Sequence, residues 1–285
     1  MERLGEKRCW IGEGPVWNKR QQRLYFVNPG ENEVCFVGAD GRDCGCLPMP
    51  ARVSSLAFDR DDGMLVSMPH GVFRVDEGGK LRELYDRARY EILYANDGKV
   101  GPDGCFYVGT QSEKRMGLSD RVNGKLYRIA PNGEVRVLLG GLLLSNGMDW
   151  AADGSRFYHT DSDTDRIREY RFDRIDGHVT YTGREVEVPG VDGFAMDATD
   201  VLWVACWGQG HIARVDTRTM TVVGHTATPC RIPTSCCFGG ADLRELLITS
   251  AFYDDPQDAD NGWLYRFLSP TVGKPGYRFG ENSSQ

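Results

Sequence analysis

Residues 53–85 read VSSLAFDRDDGMLVSMPHGVFRVDEGGKLRELY, and three short breaks divide this stretch into four apolar runs. DRDDG, PHG and EGG carry the Asp, Gly and Pro that hairpin turns use, so VSSLAF, MLVSM, VFRVD and LRELY read as four consecutive antiparallel strands. A sheet this small cannot bury its faces alone.

The unit recurs. RLYFV (23–27), GMLVS (63–67), GCFYV (104–108), RFYHT (156–160), VLWVA (201–205) and ELLIT (245–249) begin 40, 41, 52, 45 and 44 residues apart. Each is followed by a second run of the type GKLYRIA or GWLYRF. Repeats of this length, each a small sheet of about four strands, are the signature of a β-propeller, whose blades pack radially to bury what none can bury alone. The expected fold is therefore all-β: a six-bladed propeller of four-stranded antiparallel blades, forming one domain over residues 1–285. The last repeat lacks a clear fourth strand, while residues 3–10 precede the first repeat unpaired. The N-terminal segment is expected to complete blade six, closing the ring and removing an open sheet edge.

Composition agrees. The 285 residues include 35 Gly and 13 Pro, and no window of a dozen residues sustains a 3.6-residue apolar period. The net charge is −7, with 34 basic residues scattered among 41 acidic ones, which argues against a nucleic-acid partner and against a membrane surface. The start, MERLGEKRCW, has no apolar signal region and no eighteen apolar residues run together, so the expectation is a soluble cytoplasmic chain, as a monomer or weak homo-oligomer. The nine cysteines form no Cys-x-x-Cys pair; the close ones are Cys44/Cys46 and Cys236/Cys237. They are expected to be small buried thiols, kept reduced.

Aligning the innermost strands on Trp17, Phe58, Val100, Trp150, Met196 and Phe238 and counting back four residues gives Glu13, Ser54, Asn96, Asn146, Asp192 and Thr234. All six are polar, and in a propeller these equivalent strand entries ring one mouth of the central channel. Ser and Thr are ordinary at turns. Glu13 is not, and Pro15 fixes the chain where it stands. Two carboxylates brought together with amides need a compensating charge, which a divalent cation supplies. Oxygen ligation by Glu13, Asn146 and Asp192 suits a hard ion such as Ca²⁺, Mg²⁺ or Mn²⁺.

GEGPVW around Glu13, NDGKVGPDG at Asn96, SNGMDW at Asn146, DGFAMD at Asp192 followed by LWVACW, and TSCCFGG at 234–240 together resemble the senescence-marker-protein, regucalcin and gluconolactonase family, over about residues 11–268. The resemblance implies a divalent metal, Ca²⁺ first with Mn²⁺, Mg²⁺, Zn²⁺ or Fe²⁺ as other occupants, held by Glu13, Asn146 and Asp192. It implies that Asn96 contacts the substrate or a metal-bound water, and that the substrate is a small lactone, often of a sugar acid. In that scheme Asp192 is the expected general base. Two positions depart from the family pattern: Tyr94 stands where an Arg is common, and Asp120 where a Glu reads a substrate hydroxyl. Both are expected to help select the substrate. A non-catalytic calcium- or metabolite-binding propeller, or a related esterase or phosphotriesterase, is the competing reading.

The long connections 110–124 and 250–262 return to the collar mouth, where such loops often act as lids. Tyr253, His70, Trp207 and His159 fall on or near the same mouth. DSDTDRIREYRF (161–172) opens like a calcium loop, but Arg166 stands where the sharp-turn Gly belongs and Phe172 where the bidentate Glu belongs, so an acidic turn is expected. No Gly-x-Ser-x-Gly or His-Glu-x-x-His occurs, which removes the serine-hydrolase and zinc-peptidase classes.

Overall fold

Six four-stranded antiparallel sheets form the molecule, as a computed structural model of the chain shows; it describes every residue except Glu77, Arg89, residues 254–256 and residues 282–285. The stretch 53–85 forms blade two, with strands Ser55–Phe58, Met64–Met68, Gly71–Val75 and Leu81–Glu83 paired in sequence order. The other innermost strands are Glu13–Asn18, Ala95–Val100, Ser145–Trp150, Val191–Met196 and Pro233–Gly239. Each packs against the next, and Glu13–Asn18 packs against Pro233–Gly239 to close the ring. The core therefore lies between blades. Trp150, for example, is fully buried against Tyr107 of the preceding blade, with ring centroids 4.8 Å apart.

The N-terminal segment does complete blade six, although the paired residues are fewer than expected. Glu2 and Arg3 align with Arg266 and Tyr265, and the amides of Leu4 and Cys9 continue the contact by donating to the carbonyls of Leu264 and Gly262.

The sequence reading did not anticipate the C-terminal strap. After Tyr265–Leu268 the chain crosses the mouth opposite the collar, bridging Asp197 with Gly273 and Asp59 with Phe279. Thr271 Oγ1 donates to Asp197 Oδ2 at 2.8 Å, and Arg278 donates to Asp62 Oδ1 at 2.5 Å. Between strap and collar lies a cavity of about 480 Å³.

The cysteine expectation needs one correction. Cys35 and Cys46 are directly opposed on neighbouring strands of blade one, with Cα atoms 4.0 Å apart, and are joined by a disulfide. Cys46 follows Cys35 by eleven positions across a hairpin, so the pairing appears only once strand register is known. The other seven thiols are free.

Candidate metal and substrate site

Five of the six innermost strands break register at the collar. The irregularities fall between Glu13 and Val16, Ala95 and Gly98, Ser145 and Met148, Val191 and Phe194, and Pro233 and Ser235. Such bulges re-aim a side chain that a regular strand would point elsewhere. Asn96, Asn146, Asp192 and Thr234 sit inside them, out of the regular strand alternation. The glycines that follow have a packing reason: a Cβ on Gly147 would collide with the Asp192 carbonyl, and one on Gly193 with the Ser235 side chain.

Not every collar member faces the site. Ser54 Oγ pairs with Ser67 Oγ at 2.9 Å, and Thr234 Oγ1 donates to Gly12 O at 2.5 Å and lies 2.8 Å from Thr249 Oγ1. These two hydroxyls are satisfied within the strand framework. The amides instead form a relay: Gln111 Nε2 donates to Asn96 Oδ1 (3.2 Å), Asn96 Nδ2 to Asn146 Oδ1 (3.2 Å), and Asn146 Nδ2 to Ser162 Oγ (3.1 Å). The chain of donors fixes which end of Asn146 is oxygen.

The carboxyls are the unsatisfied part. Asp192 is buried, and its Oδ1 has no hydrogen-bond partner. Burial, and then the neighbouring Glu13 and Asp97, push its pKa well above the usual carboxylate range, although the Asn146 amide favours the charged form. Glu13 accepts a hydrogen bond from the Gly14 amide at 3.0 Å. Burial and Asp97 push it up to about 8. Two acids that oppose each other's ionisation, one of them with a bare buried oxygen and the Asn146 amide next to it, are a setting that a hard divalent cation suits.

Below the collar is a second polar layer that the sequence reading missed. Asp149 Oδ2 accepts from Lys99 Nζ at 2.9 Å and from the Met196 amide at 3.0 Å, while Oδ1 accepts from the Trp150 amide at 2.8 Å and pairs with Lys274 Nζ of the strap at 2.9 Å. Burial opposes its charge, but Lys274 and Lys99 prevail and lower its pKa to about 2. Asp97 lies between the layers, its pKa raised by burial. From collar to strap, the carboxyls Glu13, Asp97, Asp149 and Asp192 thus meet the two ammonium groups of Lys99 and Lys274. Once ionised, the four carboxyls outnumber the two ammonium groups, so these residues fit a divalent cation, whose charge would favour that ionisation. The signal available in the sequence was a lysine and an aspartate within strands buried on both faces, where charge is rare unless paired.

Tyr94 is half-buried beside Asn96, with positive φ (57°) and its carbonyl accepting from the Gln111 amide at 2.9 Å. Asp120 is exposed on the loop that precedes Gly124–Ile129. That loop is stapled by Glu113, which accepts from Ser119, Arg121 and Asn123, and Arg115 ties it to Asp163 of blade four at 3.1 Å. Residues 254–256 of the other long connection lie outside the described residues. His159 is a core residue bonded to Ser145 Oγ at 2.8 Å, its pKa lowered by burial to about 3. His70 is exposed and pairs with Glu91, Tyr253 is exposed against Trp10, and Trp207 is half-buried. Asp161 accepts from the amides of Leu143 and Leu144, and Ser162–Thr164 is a single 3₁₀ turn, so 161–172 is not a calcium loop. Among the described residues, Glu33, Cys35 and Cys46 also bring three ligand atoms within 4.8 Å of one another, but the two sulfurs are bonded to each other.

Fold and collar define a six-bladed propeller with an oxygen-donor centre at one mouth of its channel. The family model described as SMP-30/Gluconolactonase/LRE-like region matches residues 11–252, and the chain belongs to that family. It is 30% identical to regucalcin of Gallus gallus over 93% of this chain and 90% of that one. Among solved structures it is similar to a calcium-binding protein, regucalcin, from Agrobacterium tumefaciens, with a TM-score of 0.85 and 25% identity over 98% of this chain and 97% of that one. It shares its fold with a gluconolactonase from Xanthomonas campestris, with a TM-score of 0.75 and 22% identity over 94% and 91%. Family membership supports a lactonase-type function. No helix is long and apolar enough to cross a membrane.

Proposed function

We propose that the protein hydrolyses a small lactone, with a divalent cation, Ca²⁺ first, held by Glu13, Asn146 and Asp192. The observation that carries this reading is the bare, buried Oδ1 of Asp192 in a collar already short of positive charge. When bound, the ion supplies Lewis-acid polarisation of the ester carbonyl and charge for the developing oxyanion. Asp192, beside the attacking water, takes its proton as general base. Asn96 sits one hydrogen bond from Asn146 and contacts the substrate, its orientation held by Gln111. Tyr94, half-buried on the same mouth, presents a ring edge and hydroxyl to the substrate, and Asp120 reads a hydroxyl from the loop.

A pH-indicator assay over sugar lactones, aliphatic lactones and a phosphotriester, with chelator and with single metals added back, tests the reading. Lactone turnover that disappears in chelator and in Asp192→Ala supports it. Metal binding without turnover of any substrate supports the second reading, a calcium-binding propeller, which the resemblance to proteins named regucalcin favours.

A further inference from the structure

Two residues upstream of each collar position stands an outer ring: Ile11, Arg52, Tyr94, Leu144, Gly190 and Ile232. Isolated bridges from Ile11 to Ala251 and from Leu144 to Gln111 anchor two of these positions on the collar face. Arg52 is the ring's only charged member. It lies on the connection from Cys44–Pro48 to Ser55–Phe58, exposed between the buried Met49 and Val53 that root this connection in the core.

Arg52 is also adjacent to the site. Gly14 packs beside Ser55 of the next blade, so Glu13 and the connection that carries Arg52 lie on either side of one blade boundary. Yet the Arg52 side chain makes no hydrogen bond or ion pair among the described residues. Other arginines on this face are engaged: Arg115 with Asp163, Arg166 and Arg168 with Glu185. Among the six outer-ring positions Arg52 therefore offers a guanidinium at the mouth with no carboxylate of the described residues paired to it. A guanidinium in that position is matched by a planar carboxylate, which it can bind through two parallel N–H donors.

We propose that Arg52 is a specificity-determining residue that binds a carboxylate on the substrate, so that the preferred lactones carry one carboxylate beside the ring ester. The inference rests on the lactonase reading and refines its substrate class. Tyr94 holds the equivalent outer-ring position on the neighbouring blade.

The experiment compares two γ-lactones that differ at one carbon, one bearing a carboxylate and the other a hydroxymethyl group, with wild type, Arg52→Ala and Arg52→Lys, each with its metal. The wild type is expected to prefer the carboxylate form. Arg52→Ala should lose roughly ten- to a hundredfold in kcat/KM on that substrate, chiefly through KM, with a much smaller change on the hydroxymethyl form. Arg52→Lys should restore part of the loss. Turnover of both lactones in a ratio that Arg52→Ala leaves unchanged overturns the role of Arg52 alone and leaves the lactonase reading standing. Turnover of neither lactone by the wild type overturns both.

Discussion

Asp192 carries two burdens that a single substitution separates. In the metal-free chain its charge is buried beside Glu13 and costs stability; with the ion bound, the same charge is compensated. Asp192→Asn is therefore expected to melt at or above the metal-free wild type, to show no rise in Tm on adding Ca²⁺, and to lose lactone turnover. The wild type should gain about 2.7 kcal/mol at a hundredfold excess over its Kd. Thermal melts with and without metal check this, and a metal-induced rise in the variant would contradict it. Asp149 behaves oppositely, because it is already paired. Asp149→Asn leaves Lys99 and Lys274 without the carboxylate they share and should cost about 3–5 kcal/mol. Since the folded pKa of Asp149 is depressed to about 2, its contribution is complete above the ordinary carboxylate value of about 3.9 and is lost as pH falls through about 2. Urea unfolding between pH 5 and 2 should thus narrow the gap between wild type and Asp149→Asn. At this scale the collar was legible because Glu13, Asn96, Asn146 and Asp192 recur at one repeat position. Asp149, Lys99 and Arg52 were not, since each takes its meaning from a neighbour on another blade.

The bulged entry strand converts a repeat into a site. Gly147 and Gly193 let each bulge lie against the next blade, and Gly193→Ala would force a methyl into Ser235. Overpacking of this kind typically costs about 1–3 kcal/mol. Because the displaced backbone also carries Asp192, metal affinity should fall with stability, which calorimetric titration beside denaturant melts would measure. Loss of stability with unchanged affinity would separate bulge from site. The strap is the second element with a definite task, delivering Lys274 to Asp149 across the far mouth. Truncation after Ser269 should destabilise the fold and raise amide exchange in Ala195–Met196, the backbone that the strap and Asp149 hold, while the outermost strand of blade one, Cys44–Pro48, changes little. Equal exchange in both forms would show the strap to be passive. The strands themselves were readable from alternation and turn residues. The strap was not, because LSPTVGKPGYRFG has neither strand period nor turn spacing and is held by side chains and two single bridges.

For the whole molecule, closure and charge are one problem. The N-terminal segment seals blade six through a strand of two residues, Glu2 and Arg3, and the amides of Leu4 and Cys9, yet the ring so closed is what brings residues 13, 96, 146 and 192 to one axis. Closure was predictable because a propeller with an unpaired last edge would expose it. Which charges the ring would enclose was not, because the strap brings Lys274 into the channel from beyond the last repeat. With that lysine counted, the enclosed carboxyls, once ionised, still outnumber the ammonium groups, and the account of function stands on that deficit. The most direct test is anomalous diffraction at the manganese edge from crystals grown with Mn²⁺. The account predicts one strong peak on the channel axis, bounded by the side-chain oxygens of Glu13, Asn146 and Asp192. A channel without a peak, with the Glu13 and Asp192 carboxyls turned apart, would contradict it.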